Sequence, residues 1–114
     1  MDKEKLKEVG IDIDSALQRF MGNEALMEKF LLRFEEDQAY ADLVEAVAKQ
    51  DAEKAVTASH TLKGVSGNLS MTELYALTTK QVDLLREGKA QEAFAMMSQI
   101  QAVYERLVEV IRGE

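Results

Sequence analysis

The sequence predicts an all-α protein: an antiparallel up-down four-helix bundle with one or two short N-terminal capping helices. Three observations predict it. The 114 residues contain no proline and six glycines, so few residues break a helix. Apolar residues recur three and four positions apart instead of alternating. The intervals between periodic runs are a few residues long and carry glycine, asparagine, aspartate or serine, which stop and restart helices. Amphipathic helices joined by such short turns pack as antiparallel neighbours.

Each element has its own justification. Residues 3–9 predict a short helix through Leu6 and Val9, closed by Gly10. Residues 12–21 predict a second through Ile13, Leu17 and Phe20, with Gly22-Asn23 as stop and new N-cap. From Glu24 to about Gln50, the apolar positions Met27, Phe30, Phe34, Ala41, Val44 and Ala48 keep helical spacing. One helix is expected there, although the polar run Glu35-Glu36-Asp37-Gln38 is a place to kink it. Asp51 is a suitable N-cap for a helix over 52–68. Ser70-Met71-Thr72-Glu73 has the form of a capping box, opening a helix through Leu74, Leu77 and Leu84 that ends at Arg86-Glu87 before Gly88. A last helix is expected over 90–112, carrying Phe94, Met97, Ile100 (or Gln101), Tyr104, Leu107, Val108 and Ile111. Residues 1–114 are read as one domain, with capping helices in 1–22 and the bundle in 24–112.

Composition narrows the function. A hydrophobic fraction of 46% supports a packed core. The formal charge of −7 disfavours nucleic acid and anionic membrane surfaces, which call for a basic face. No apolar run approaches the ~20 residues of a membrane span, and the charged start Met1-Asp2-Lys3-Glu4-Lys5 does not read as a secretory leader. A cytoplasmic, monomeric protein is expected. The absence of cysteine excludes disulfides, thiol catalysis and cysteinyl metal sites.

The chemistry centres on residues 59–69. His60 is the only histidine in the chain. On a helix, Ala55, Ser59, Leu62, Ser66 and Leu69 form one stripe suited to burial, and His60 lies roughly 100° or more from its centre. Gly64 and Gly67 share His60's side, one and two turns further on. Glycine inside a helix costs about 1 kcal/mol relative to alanine, so two in one helix need a reason. Clearance is one: a bare backbone beside the imidazole lets another molecule approach. Tight packing of a neighbouring helix is the other, and it suits Gly67. Lys63 supplies a cation within reach of an anion on the ring. Free imidazole titrates near pH ~6.5, so at pH 7 it mostly offers a nitrogen lone pair without needing a dedicated base.

His60-Thr61-Leu62-Lys63-Gly64, followed by Gly67-Asn68-Leu69, resembles the signature of histidine-containing phosphotransfer domains. Ile11-Asp12-Ile13-Asp14 with Ala16-Leu17, then Phe30-Leu31 and Phe34, are similar to the same family's upstream pattern, so the resemblance covers nearly the whole chain. It implies a helical bundle that shuttles phosphate between receiver-domain aspartates in a multistep two-component phosphorelay. It makes Nε2 of His60 the phosphoacceptor and Lys63 the stabiliser of phosphate charge. It implies response-regulator receiver domains as partners, with a hybrid sensor kinase as a further one. It implies no cofactor on this chain, the magnesium ion belonging to the receiver. The family often carries glutamate or glutamine twenty-two positions after the histidine; that position is Val82 here, and Gln81 beside it is the candidate substitute. Val56, with residues of the N-terminal helices, is the candidate docking patch flanking His60.

Nothing resembles a glycine-rich nucleotide loop, so self-phosphorylation from ATP is not expected and the chain is a carrier rather than an enzyme. The alternative is a helical interaction module that binds a receiver or sensor kinase without accepting phosphate. A bundle enzyme with a metal site is disfavoured, because a Glu-x-x-His pair would need glutamate where Thr57 stands. A chain opening on Met1 and holding a full bundle is expected to be free-standing.

Overall fold

A computed structural model describes residues 1–113. The helices are α1 (Lys3–Glu8), α2 (Ile13–Arg19), α3 (Glu24–Leu32), α4 (Ala39–Ala48), α5 (Ala52–Asn68), α6 (Thr72–Arg86), α7 (Ala90–Ala95) and α8 (Met97–Arg112), with a 3₁₀ turn at Phe34–Glu36. They build an all-α bundle. Helix α5 packs most extensively on α6 and α4, α6 reaches α7 and α8, and α1 and α3 close onto α8. Among the described residues no helix is long and apolar enough to cross a membrane.

Caps set the boundaries. The side chains of Asp2, Asp12, Asn23 and Asp51 each accept a backbone N–H of the turn they open, Asp51 from Lys54 at 3.0 Å. The ends of α1, α2, α4, α5 and α6 close on a left-handed residue, glycine at Gly10 and Gly88 but Met21, Gln50 and Ser70 elsewhere.

Three expectations need correction. The first is the single helix from Glu24 to Gln50. Asp37 is extended, and its Oδ1 accepts the Ala39 N–H at 2.8 Å. A short acidic side chain that bonds backbone two residues on offers the chain an alternative to helix, and here it ends one rod and starts another. The break resets the helical phase. Helix α4 therefore buries Ala39, Leu43 and Ala46, while Ala41, Val44 and Ala48 face out.

The second correction is the capping box. Ser70 is not the N-cap of α6; Met71 is, with no side-chain cap bond. Ser70 is the left-handed residue after α5: its N–H bonds the Gly67 carbonyl at 3.2 Å and the next N–H, of Met71, bonds Ser66 at 2.9 Å. Its hydroxyl turns to Ser15 at 3.1 Å. Asp12 N–H bonds the Ser70 carbonyl and Thr72 N–H bonds the Gly10 carbonyl, pairing Ile11 with Met71. These bonds staple the N-terminal segment to the α5–α6 turn, and Ser15 takes the hydroxyl a cap would have used.

The third is the last helix, which is interrupted at Met96. The Gln81 side chain explains the interruption. It is fully buried, and its Nε2 donates to the Ala93 carbonyl at 3.1 Å, the acceptor that Met97 N–H would use in an unbroken helix. A side chain inserted into the backbone ladder is a recognised cause of a kink.

Most of the core is aliphatic: Leu6, Leu31, Leu43, Leu62, Leu74, Ile100 and Leu107 are fully buried or nearly so, with Ser59, Ser66 and Thr78 buried among the helices as well. One aromatic seam ties the two broken rods together. Tyr40 stacks on Tyr104 with centroids 3.6 Å apart, Phe34 lies 5.1 Å from Tyr104, and Arg112 pairs with Glu35 beside them.

Candidate functional site

Helix α5 carries the site because its buried stripe fixes its rotation. Ala55, Ser59, Leu62, Ser66 and Leu69 are all buried against the neighbouring helices, so His60 is turned to the exposed side. Ser59 anchors that rotation. Its hydroxyl donates to Gln81 Oε1 at 2.7 Å in the seam with α6. His60 is exposed, and among the described residues no hydrogen bond is made to its ring.

The two glycines are not alike. A Cβ built at Gly64 would meet nothing within 4 Å, so the helix surface one turn beyond His60 is open. A Cβ at Gly67 would lie 3.1 Å from Cδ2 and Cε2 of Tyr75. Gly67 therefore admits an aromatic ring from α6, the packing use that its position allowed.

Lys63 is half-buried on α5, and its ammonium stands 5.8 Å from the centroid of the Tyr75 ring. Lys63, Gly64, Gly67 and Tyr75 form one wall of a groove of about 450 Å³; Asp12, Ser15 and Arg19 line the other. Two cations, Lys63 and Arg19, thus border the bare glycine surface of a chain whose net charge is −7. The Asp12 carboxylate lines the same groove, so the charge there is mixed with cations in excess by one.

The geometry combines an exposed histidine, a bare turn beside it and Lys63 on the same face, on a helix that Asp51 and Ser70 delimit. The family model of the Hpt domain matches residues 25–110. The chain belongs to the Hpt domain family. Hpt domains are phosphotransfer modules of two-component signalling, carriers that interact with receiver domains. No curated protein and no solved structure matches the chain.

The sequence-expected residues of this Hpt domain fall into two groups. His60, Lys63, Gly64 and Gly67 share one face of α5, as their spacing required. Gln81 does not reach the imidazole. Its amide is engaged by Ser59, the Ala93 carbonyl and Met97 Sδ at 3.5 Å, and Val82 beside it is buried. Val56 is half-buried one turn before His60, on the same face. The N-terminal apolar residues gather elsewhere. Phe20 and Phe30, stacked at 5.3 Å, border a groove of about 600 Å³ with Val65, Asn68 and Leu69, some 14–20 Å along the helix from Val56. Phe30 is 42% exposed there.

Tyr75 and Arg19 were not singled out from the sequence. The signal for Tyr75 is its register: residues 67 and 75 stand four positions either side of Met71, where the chain reverses. Arg19 gives no signal of its own, because its place beside α5 depends on long-range contacts, the pairing of Ile11 with Met71 and the bond between Ser15 and Ser70. Among the described residues no group of three or more histidine, cysteine, aspartate or glutamate side chains is placed to hold a metal ion.

Proposed function

We propose that this Hpt domain is a phosphorelay intermediate that takes a phosphoryl group on His60 from a receiver-domain aspartate and passes it to another receiver. The observation that carries this reading is the open helix surface at Gly64 next to an exposed histidine. A receiver brings a phosphorylated carboxylate at the floor of an active site, and only a convex, bare surface lets an imidazole reach down to it.

The step balances without a proton acceptor. The lone pair of His60 Nε2 attacks phosphorus, the N–P bond forms, and the P–O bond to the aspartyl carboxyl breaks with its electrons leaving on the carboxylate. The ring keeps its Nδ1 proton and carries the positive charge against the bound phosphoryl. Charge spreads over the equatorial oxygens during transfer, and the role given to the Lys63 ammonium, one turn from His60 on the same face of α5, is to offset that charge. The magnesium ion and most of the stabilisation come from the receiver, so this chain contributes nucleophile, cation and docking surface. The Phe20–Phe30 groove, with Arg19 and Arg33 on its rim, supplies apolar contact area next to cations.

The test is incubation of the purified chain with a panel of phosphorylated receiver domains. An acid-labile, base-stable phosphate is expected on the chain, and none on His60→Gln. Binding of a receiver by both forms, with phosphate on neither, would instead support a module that docks without accepting phosphate.

A further inference from the structure

We propose that Tyr75 is a positioning residue for Lys63: its ring, seated on the bare backbone of Gly67, holds the lysine ammonium beside the reacting face of α5. The inference rests on His60 being the phosphate carrier and adds a residue on a second helix to that site. Three observations lead to it. The ammonium of Lys63 lies 5.8 Å from the ring centroid of Tyr75. The ring lies so close to α5 that a methyl at Gly67 would stand 3.1 Å from two of its carbons. Tyr75 is 43% exposed, so its ring face is offered to the groove instead of being spent in the core.

The pairing answers a problem that a lysine at this position has. Four rotatable bonds let an ammonium sample much of the solvent around the helix, and fixing such a chain costs rotamer entropy. None of the ion pairs among the described residues involves Lys63. A carboxylate partner would fix the ammonium but would also neutralise it and oppose an incoming phosphoryl group. An aromatic face restrains the cation while leaving its charge available. An exposed cation–π contact is also weak enough to let the ammonium turn a short distance toward phosphate. On this view the two glycines divide the work: Gly64 leaves room for the reactant and Gly67 for the ring.

The experiment compares single-turnover transfer from one phosphorylated receiver to wild type, Tyr75→Phe, Tyr75→Leu, Lys63→Ala and the Tyr75→Leu/Lys63→Ala double variant. Melting curves establish that each is folded. Tyr75→Leu is expected to slow transfer roughly two- to five-fold, the size of an exposed cation–π contact expressed as a rate. Tyr75→Phe, which keeps the ring face, is expected to match wild type. In the Lys63→Ala background, Tyr75→Leu is expected to add no further loss. NMR gives a readout independent of phosphate: the Lys63 ε-methylene protons should be displaced upfield by the ring in wild type and Tyr75→Phe, and not in Tyr75→Leu. Equal slowing by Tyr75→Leu with and without Lys63, or a wild-type lysine with no ring-current displacement, would overturn the proposal. If wild type takes no phosphate at all, the carrier reading fails and the purpose given to the ammonium fails with it. An intact displacement then places the fault in the function and not in the pairing.

Discussion

Replacing Gly64 by alanine should make this protein more stable and less active. A Cβ at that position meets nothing within 4 Å, and no positive φ is required there, so the added methyl brings neither clash nor backbone strain. What remains is the difference in helix propensity, about 1 kcal/mol in favour of alanine in a helix interior. Part of that gain comes from the unfolded chain, which loses freedom when glycine is replaced. For a domain of this size it corresponds to a melting temperature higher by roughly 3–6 °C. On the proposed function, the same methyl stands on the surface across which a receiver would reach His60. Transfer from a phosphorylated receiver should fall about tenfold or more, equivalent to about 1.4 kcal/mol of barrier.

Far-UV circular dichroism melts and single-turnover transfer, run on the same preparations, read the two effects. Gly67→Ala is the internal comparison. Its methyl would press on the Tyr75 ring at 3.1 Å, and a half-exposed ring can give by a few tenths of an ångström. The propensity gain is then partly offset, and a rise in melting temperature smaller than that of Gly64→Ala is expected. A Gly64→Ala variant that melts higher and transfers at the wild-type rate would refute the idea that this turn is kept bare for a partner. A variant that melts lower would show that the position is packed, contrary to the open surface described above.

Two further outcomes follow from the interior. Gln81→Leu should destabilise the bundle by about 1–3 kcal/mol in urea denaturation, since it leaves the buried Ser59 hydroxyl without its closest partner. Ser59→Ala should recover part of that loss when combined with it, and simple additivity of the two would refute a shared network. Burial, with Glu105 near Tyr40 and Glu35 near Tyr104, holds both stacked phenols above their ordinary value of 10.0. The folded chain therefore keeps these protons longer than the unfolded one, so their contribution is complete below pH 10 and lost as pH rises through the folded values. Melting temperature should drop above pH 10, and Tyr104→Phe should make the drop shallower; an unchanged slope in that variant would show that other groups control alkaline unfolding.

The sequence made the elements legible wherever the deciding residue lies within one turn of its effect. Asp51 capping α5, the glycine after α1 and the stripe that turns His60 outward are all local relations, and all hold. It misled where a residue has two competing local uses. Asp37 sits inside a helical pattern yet is extended and accepts the first N–H of the next helix, and Ser70 sits in a capping-box pattern yet serves as the left-handed end of α5. Periodicity cannot choose between such uses, because the outcome depends on whether another segment, here residues 10–12, takes the freed groups.

The same division runs through the site. His60, Lys63, Gly64 and Gly67 lie on one helix, so helical geometry alone groups them. Which side chain of α6 joins them is a different kind of question, set by where the chain reverses. The left-handed Ser70 fixes the α5–α6 register, and in that register Tyr75 faces Gly67 while Gln81 faces Ser59 in the core. A reversal one residue later would rotate α6 by about 100° relative to α5. It would then present a different residue to the imidazole's side. Counting twenty-two positions on from the histidine lands on Val82, which is buried, because in this chain the face that α6 turns to α5 is set by the reversal at Ser70.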